Sequence, residues 1–599
     1  MKFIGAFACS ILLTFALTVS AQETSRPSAS PDQLIGLWKA KKRFGPDARG
    51  TLIIRKDGSS YIADMVGRRL PIRIEGNELV FNVPNGQGYF RGRVDNKLIR
   101  GHWFRPGTLV NGWGFPAVDA SPVVLNPDGN DRWIGKVDPA QDEYTFYLMA
   151  EKRPDGSISV LMRNPERDMG NQIGASRLVR DGNVVRLMGK RANETTERVL
   201  STGTFDPENE IITLFFLNRG LTYDFMRDGG ESDFYRRGKD PGRYVYEAPP
   251  ALNDGWKTGT LDEAGIDRGG IERMMQTLIE TPENAPDTPQ LHGVVIIRNG
   301  KLVFEEYFYG EHRDRLHNTR SASKSVVAVL VGAAMEAGAP LKLSTPVYEL
   351  MKADVTSANP DERKHSMTLE NLLMMSSGIF CDDNNDQAPG KENTVWEQRE
   401  QPNFYRMYLN LPMDRKPGER SVYCSNDPNV ALGMVGRAMG ENPLQAFDRL
   451  IGRPMQIERY SWLVDRAGNP YGGGGTAFTL RDFAKFGQLM LDEGVWQGRR
   501  ILSRDFVARS SAPHTTIGSR KYGYLWWVGD YPYKDRKVNV YWALGAGGQN
   551  ISVIPELQLI IATYSGSYAT RAYGYGTGEL VPNLILPTVK ETKAADRKE

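Results

Sequence analysis

The sequence predicts a chain of two parts, an all-β N-terminal domain followed by an α+β domain, and three observations carry that prediction. Residues 33–236 are short apolar runs separated by tight-turn pairs, with no helical stretch of ordinary length. A stretch at 237–255 carries Pro241-Gly242 and Pro249-Pro250, the composition of a linker. From 256 to 588 the pattern becomes an amphipathic helix, a hairpin, a long helical middle and a closing set of strands. At 599 residues the chain is long enough for two or more cores.

In the first part, Thr51–Ile54, Leu79–Phe81, Phe146–Met149 and Ile211–Phe216 read as strands. Asp57-Gly58, Asn85-Gly86, Asp155-Gly156 and Asp181-Gly182 are hairpin-turn pairs, because both central residues of such turns need positive φ. The expected architecture is an antiparallel sandwich or barrel. A weak repeat runs through it. Trp38, Asp57-Gly58, Glu75-Gly-Asn77 and Val94-Asp95 recur in order as Trp133, Asp155-Gly156, Asp181-Gly-Asn183 and Phe205-Asp206. The aromatic residues here suit a β core better than a sugar groove, although cell-envelope glycan is a possible partner of such a domain.

In the second part, Ile266–Ile279 has helical periodicity, and Val294–Tyr307 is a hairpin turning at Asn299-Gly300. Ser321-Ala-Ser-Lys324 then opens the apolar run Val326-Val-Ala-Val-Leu-Val331, a helix buried on every face. A serine hydroxyl needs a nearby base to become a nucleophile, and Lys324, three residues on, shares its helical face. Ser321 at a helix N-terminus can also turn its own N–H towards an oxyanion. A plain N-cap would explain the serine equally well.

Two later segments favour chemistry. Tyr423 follows the turn signal Lys416-Pro-Gly418 and precedes a helical pattern, so it is placed to shuttle a proton beside Lys324. Ser425 is in reach of the lysine or a substrate. Val538 to Gln549, with Gly545, Gly547 and Gly548, reads as a strand approached closely by other backbone; as an edge strand it would offer the Ala546 N–H as a second oxyanion donor. Its alternative is a simple β-bulge. Trp526, Trp527 and Tyr541 are candidates for a substrate pocket or for core.

Together these residues resemble the serine β-lactamase and penicillin-binding superfamily, and within it the class C-like branch of esterases and 6-aminohexanoate-dimer hydrolases. Leu291–Lys301, Leu372–Gly378, Arg481–Leu489, Tyr522–Trp527 and Ala543–Gln549 are similar to that branch. The resemblance implies an antiparallel sheet flanked by helices with a helical subdomain. It also implies Ser321 as nucleophile, Lys324 as base partner and Tyr423 as proton shuttle, with no cofactor. Penicillin-recognising members carry a cation on the third strand; here the matching residues are Ala543-Leu544-Gly545, so efficient β-lactam turnover is not expected. The function implied is a serine hydrolase acting on a small ester, amide or short peptide. The alternative is a penicillin-binding or sensor-like protein that acylates without efficient turnover.

Composition narrows the setting. A net charge of +3 with dispersed basic residues gives no footprint for nucleic acid. Lys2, the apolar stretch Phe3–Val19 and Val19-Ser-Ala21 form a signal-peptide pattern over residues 1–21, implying a periplasmic or secreted protein cut near Ala21. No other stretch is long and apolar enough to span a bilayer. Cys381 and Cys424 then remain, either as a disulfide permitted by export or as two buried thiols. The loop Cys381–Asp386 is acidic but lacks the glycine and distal glutamate of an EF-hand, so no metal is expected. Residues 589–599 read as a disordered charged tail.

Overall fold

The computed structural model describes residues 31–591 apart from 44–47, 107–117, 141–142, 167–172, 191–193, 218–220, 284–287 and 569. The signal segment 1–21 and residues 592–599 of the expected tail lie outside the described residues. Val589 and Lys590, expected in that tail, are instead held in place: Val589 is buried, and Lys590 N–H donates to Gly265 O.

The N-terminal region is two eight-stranded barrels in place of a single one. After β1 (Gly36–Arg43) come β2 (Gly50–Asp57), β3 (Ser60–Met65), β4 (Arg68–Glu75), β5 (Glu78–Val83), β6 (Gly88–Asp95), β7 (Leu98–Pro106), β8 (Val118–Pro127) and β9 (Arg132–Val137). There follow β10 (Glu143–Lys152), β11 (Ile158–Arg163), β12 (Ala175–Asp181), β13 (Val184–Gly189), β14 (Arg198–Asp206), β15 (Ile211–Phe216) and β16 (Leu221–Arg227). Strands β2–β9 close on themselves, because β9 pairs with both β2 and β8. Strand β1 leaves its sequence neighbours and closes the second barrel between β10 and β16.

The repeat explains this arrangement. If β1–β8 and β9–β16 are the two copies, each copy gives its first strand to the other's barrel. Trp38 and Trp133 sit on those exchanged strands. The Asp-Gly pairs turn β2 into β3 and β10 into β11, and the Gly-Asn pairs turn β4 into β5 and β12 into β13. Gly58, Gly76, Gly156 and Gly182 all take positive φ at those tips, which is why the turns carry glycine. The barrel interiors are aromatic: Trp103, Phe81 and Phe90 fill the first, and Trp38, Phe146, Phe205 and Tyr223 fill the second. These rings serve as core.

The 237–255 stretch is irregular but docked. Tyr244 and Tyr246 are buried, with the Tyr246 hydroxyl donating to Val303 O, and Arg481 pairs with Asp254 at 2.8 Å. It is a strap across the second domain, where composition alone suggested a tether.

That second domain is built on a nine-stranded sheet. It begins with β17 (Lys257–Thr258), α1 (Arg268–Glu280), β18 (Leu291–Arg298) and β19 (Lys301–Tyr307). Next come β20 (His317–Asn318), α2 (Ser323–Glu336), α3 (Asn426–Met439), β21 (Tyr460–Val464), β22 (Thr476–Phe478) and α4 (Leu480–Leu491). After the small hairpin β23 (Val495–Trp496) and β24 (Arg499–Arg500) follow β25 (Thr515–Ile517), β26 (Arg520–Tyr522), β27 (Trp527–Tyr533), β28 (Arg536–Gly545), β29 (Gln549–Ile554) and β30 (Leu559–Ser565). The order is β17-β19-β18-β30-β29-β28-β27-β26-β25, antiparallel except for the short β17–β19 pair.

Strand alternation sets the two layers. On β18, Val294 and Ile296 face a core with Ile271, Met274 and Leu278 of α1. Val295 and Ile297 face the opposite core, which holds α2, α3 and α4. Helix α2 is buried from Ser323 to Ala334, as its unbroken apolar sequence requires.

The two parts share a sheet. Strand β8 of the first barrel pairs with β21 (Trp462↔Ala120), β21 pairs with β22, and β22 pairs with β20. Beside this junction His102 of β7 hydrogen-bonds the Tyr460 hydroxyl at 2.7 Å. Burial pushes the His102 pKa down from 6.5 to about 4. The folded state therefore takes up its proton only at lower pH than the unfolded chain does. Stability tied to neutral His102 is intact above pH 6.5 and is lost as pH falls towards 4. The stability advantage of the wild type over His102→Gln should be largest near pH 7 and shrink across that interval, measured by urea unfolding at each pH.

Candidate active site

Ser321 lies in a single 3-10 turn, Arg320–Ala322, that leads directly into α2. The turn is held from two sides. On one side Thr319 N–H donates to Thr476 O of β22 at 3.0 Å, and the Thr319, Thr476 and Ser323 hydroxyls form a buried cluster at 2.6–2.9 Å. On the other side β28 presses on it at Gly545, where a β-carbon would collide with the Thr319 carbonyl oxygen. Arg320 itself has φ of 52°, an unfavourable region for a side-chain-bearing residue. Asn318 Oδ1 accepts its N–H at 2.7 Å and the Tyr568 hydroxyl accepts from its Nε at 2.9 Å, which holds the conformation.

Lys324 is buried at the first turn of α2, and its Nζ donates to Ser321 Oγ at 3.0 Å. It also donates to the Gly473 carbonyl and lies 4.9 Å from the centre of the Tyr423 ring. Glu392, on a short helix Glu392–Glu397, completes the surroundings. Burial pushes its carboxyl up, opposed by the charge of Lys324, and the Tyr471 hydroxyl donates to it at 2.6 Å.

Tyr423 stands on the loop before α3 and stacks on Trp527, ring centres 6.0 Å apart. Two devices pin that loop. A disulfide joins Cys381 to Cys424 across 43 residues. Asp383 accepts from the Ser425 hydroxyl at 2.6 Å and the Ser425 N–H at 2.9 Å, while its own N–H donates to Tyr423 O. Ser425 is thus turned to Asp383. The acidic loop, read as a solvated rim, has a specific mechanical use through Asp383.

Ser321, Tyr423, Trp527, Gly545 and Ala546 line one open cleft of about 400 Å³. The expected edge strand is an interior one: β28 lies between β27 and β29 and ends at Gly545, paired with Gln549. Ala546 falls in the turn beyond the ladder, where Gly547 and Gly548 take positive φ. The residue expected as a donor therefore lies on a hairpin turn. Gly547 packs against Tyr568, outside the cleft lining. Trp526 and Tyr541 are buried against each other with ring centres at 5.6 Å and belong to the core; Trp527 alone of the three reaches the cleft.

Sequence reasoning missed Glu392, Asp383 and the Gly473 carbonyl. For the last there was a visible signal, the run Gly472-Gly-Gly-Gly475. A β-carbon at Gly473 would strike Tyr471 and the Ser425 carbonyl, so the backbone can reach Lys324 only with glycine there. Nothing near Glu392 in the sequence distinguishes it from a surface acid.

Residues 279–574, which include every side chain of this cleft discussed above, match the Beta-lactamase family model. The 6-aminohexanoate-dimer hydrolase of Paenarthrobacter ureafaciens is 25% identical over 290 residues, covering 45% of this chain and 71% of that protein. Among solved structures, a β-lactamase from Mycobacterium bovis aligns with TM-score 0.36 and 16% identity over 49% of this chain and 93% of its own. EstCE1, a hydrolase with promiscuous acyltransferase activity, aligns with TM-score 0.42 and 14% identity over 54% of this chain and 98% of its own.

Two outcomes follow from this geometry. Closing a 43-residue loop is worth about 4 kcal/mol in the chain-entropy model. Cys381→Ser with Cys424→Ser should lower the urea midpoint accordingly and reduce kcat by loosening the Tyr423 loop. Gly545→Ala must displace backbone beside the Ser321 turn, so kcat/KM should fall by roughly tenfold or more while circular dichroism still reports a folded protein.

Proposed function

We propose that this β-lactamase-like serine hydrolase is an exported enzyme that cleaves an ester or amide through an acyl-Ser321 intermediate. The observation that carries the reading is the 3.0 Å hydrogen bond between Lys324 Nζ and Ser321 Oγ, at the edge of a cleft that also holds Tyr423 and Ala546. Ser321 Oγ attacks the carbonyl carbon, and its proton passes to the Lys324–Tyr423 pair. Negative charge collects on the carbonyl oxygen, facing the N–H groups of Ser321 and Ala546. The pair returns the proton to the leaving oxygen or nitrogen as the carbonyl bond to it breaks. Water then attacks the acyl ester and gives its proton to the same pair; the carbonyl–Oγ bond breaks, the acid leaves, and the pair returns the proton to Ser321 Oγ.

Lys324 suits this work because three different groups hold its Nζ in place. The Gly473 carbonyl and Ser321 fix its direction, and the Tyr423 ring lies against it, so a phenolate forming at Tyr423 would be stabilised by the neighbouring ammonium. The strand position that carries a cation in penicillin-recognising relatives is Ala543-Leu544-Gly545 here, which favours esters and open-chain amides over β-lactams. The signal-peptide pattern at residues 1–21 and the disulfide support export.

Intact mass after treatment with a fluorophosphonate, together with p-nitrophenyl ester turnover, tests the reading. One adduct and measurable turnover are expected, and Ser321→Ala should lose both. Lys324→Ala and Tyr423→Phe should each lower kcat/KM by about 10²–10⁴. Labelling that survives Ser321→Ala would place the nucleophile elsewhere.

A further inference from the structure

The two N–H groups read as oxyanion donors come from different segments of chain, and one side chain touches both segments. The Ser321 N–H belongs to the peptide group that joins it to Arg320, so the Arg320 conformation aims it. The hydroxyl of Tyr568, just beyond β30, accepts from Arg320 Nε at 2.9 Å, and the Arg320 guanidinium lies 4.8 Å from the Tyr568 ring centre. On its other side the ring presses on the turn that carries Ala546: a β-carbon at Gly547 would lie 2.5 Å from it. Gln549 completes the link. Its Nε2 donates to the Ala546 carbonyl at 3.0 Å, to the Ser565 carbonyl at 2.6 Å and to the Tyr568 hydroxyl at 3.3 Å. Tyr568 is buried and does not line the cleft; it faces a separate chamber of about 90 Å³, shared with Arg105 and Asp119 of the first barrel.

We propose that Tyr568 is a positioning residue for the oxyanion site: it locks the Ser321 N–H and the Ala546 N–H into one spacing, so that both meet the same oxygen. This rests on the reading of Ser321 as nucleophile and Ala546 as second donor. Donors serve an oxyanion only when each lies about 3 Å from the place where the charge forms, and a fixed pair needs no rearrangement at the moment of reaction. Arg320 requires a brace of this kind, because its positive φ is unfavourable and relaxes once the side chain is released. The Ala546 turn requires one too, since it lies beyond the β28–β29 ladder and takes positive φ at Gly547 and Gly548. With one hydroxyl shared between Arg320 and Gln549, neither segment shifts without the other. Tyr568 therefore acts through the two N–H groups, with no place in the cleft itself.

Tyr568→Phe tests this, because it keeps the ring against Gly547 and removes the shared hydroxyl. Deleting an oxyanion donor outright costs about 10²–10³ in kcat, so letting one drift should lower kcat on p-nitrophenyl butyrate by about tenfold, with KM changed by less than about twofold. Trifluoromethyl propyl ketone reads the same spacing without turnover. Its carbonyl carbon bonds Ser321 Oγ, the Oγ proton passes to the Lys324–Tyr423 pair, and the carbonyl oxygen becomes O⁻ at the donors. It should bind the variant about tenfold more weakly, whereas methyl propyl ketone, which stays planar, should bind both proteins alike. Arg320→Met should give the same pattern, and the double variant should lose little beyond either single one, because both cut one linkage. Turnover is expressed per site titrated with fluorophosphonate. A side chain that only stabilises the fold would then leave kcat and the affinity for the trifluoromethyl ketone at wild-type values in Tyr568→Phe. That result would overturn the proposal, and so would fully additive losses in the double variant. Failure of the Ser321 reading is a different result: the wild type itself would bind the two ketones alike, and the fluorophosphonate label would survive Ser321→Ala.

Discussion

The three-residue turn at Arg320–Ala322 is clamped between two sheets, and the site depends on that clamp. One sheet arrives through Thr476, whose carbonyl and hydroxyl hold Thr319; the other arrives through Gly545, which has no side chain and so lets β28 lie against the Thr319 carbonyl. Neither sheet alone would fix Ser321, because a turn this short has few bonds of its own. The positive φ of Arg320 is the local cost of pointing Ser321 into the cleft, and the Asn318 and Tyr568 bonds offset it. The first of these two sheets runs without a break from β20 through β22 and β21 into the N-terminal barrel. The barrel is thus structurally continuous with the support of the Ser321 turn.

Burial of Lys324 is the second constraint. An ammonium out of water needs compensating partners, and here they are a carbonyl, a hydroxyl, an aromatic face and the nearby Glu392. Each partner comes from a different segment of chain, so the ammonium ties together α2, the glycine run before β22 and the Tyr423 loop. The disulfide and Asp383 hold that loop from behind, which keeps the tyrosine ring against the lysine.

Much of this was legible in the sequence, for definite reasons. The spacing of Ser321 and Lys324 on a helix, the turn before Tyr423 and the glycines after Leu544 are local signals, and local signals survive without coordinates. What was illegible depends on facing and partnership. Trp526 and Trp527 are neighbours with the same chemistry; only the direction each takes from the extended chain decides that one is core and the other cleft. The Ala543–Gly545 strand was read as an edge because a strand's neighbours are not written in its own residues. The β pattern likewise announced hairpins and a repeat, but the exchange of first strands between two barrels is a matter of pairing. Asp383 and Glu392 are ordinary acids until the fold brings Ser425 and Lys324 to them.

That exchange of strands has a bearing on how the chain is made. Strand β1 is synthesised before any part of the first barrel, yet its partners are β10 and β16, the latter ending at Arg227. The β2–β9 barrel is complete in sequence by Val137 and can close while β1 still waits. Nearly two hundred residues therefore separate the emergence of Gly36 from the last strand that flanks it. The second barrel is a late, long-range closure, and trimming the N-terminus would remove a wall of the more distant barrel while leaving the nearer one whole.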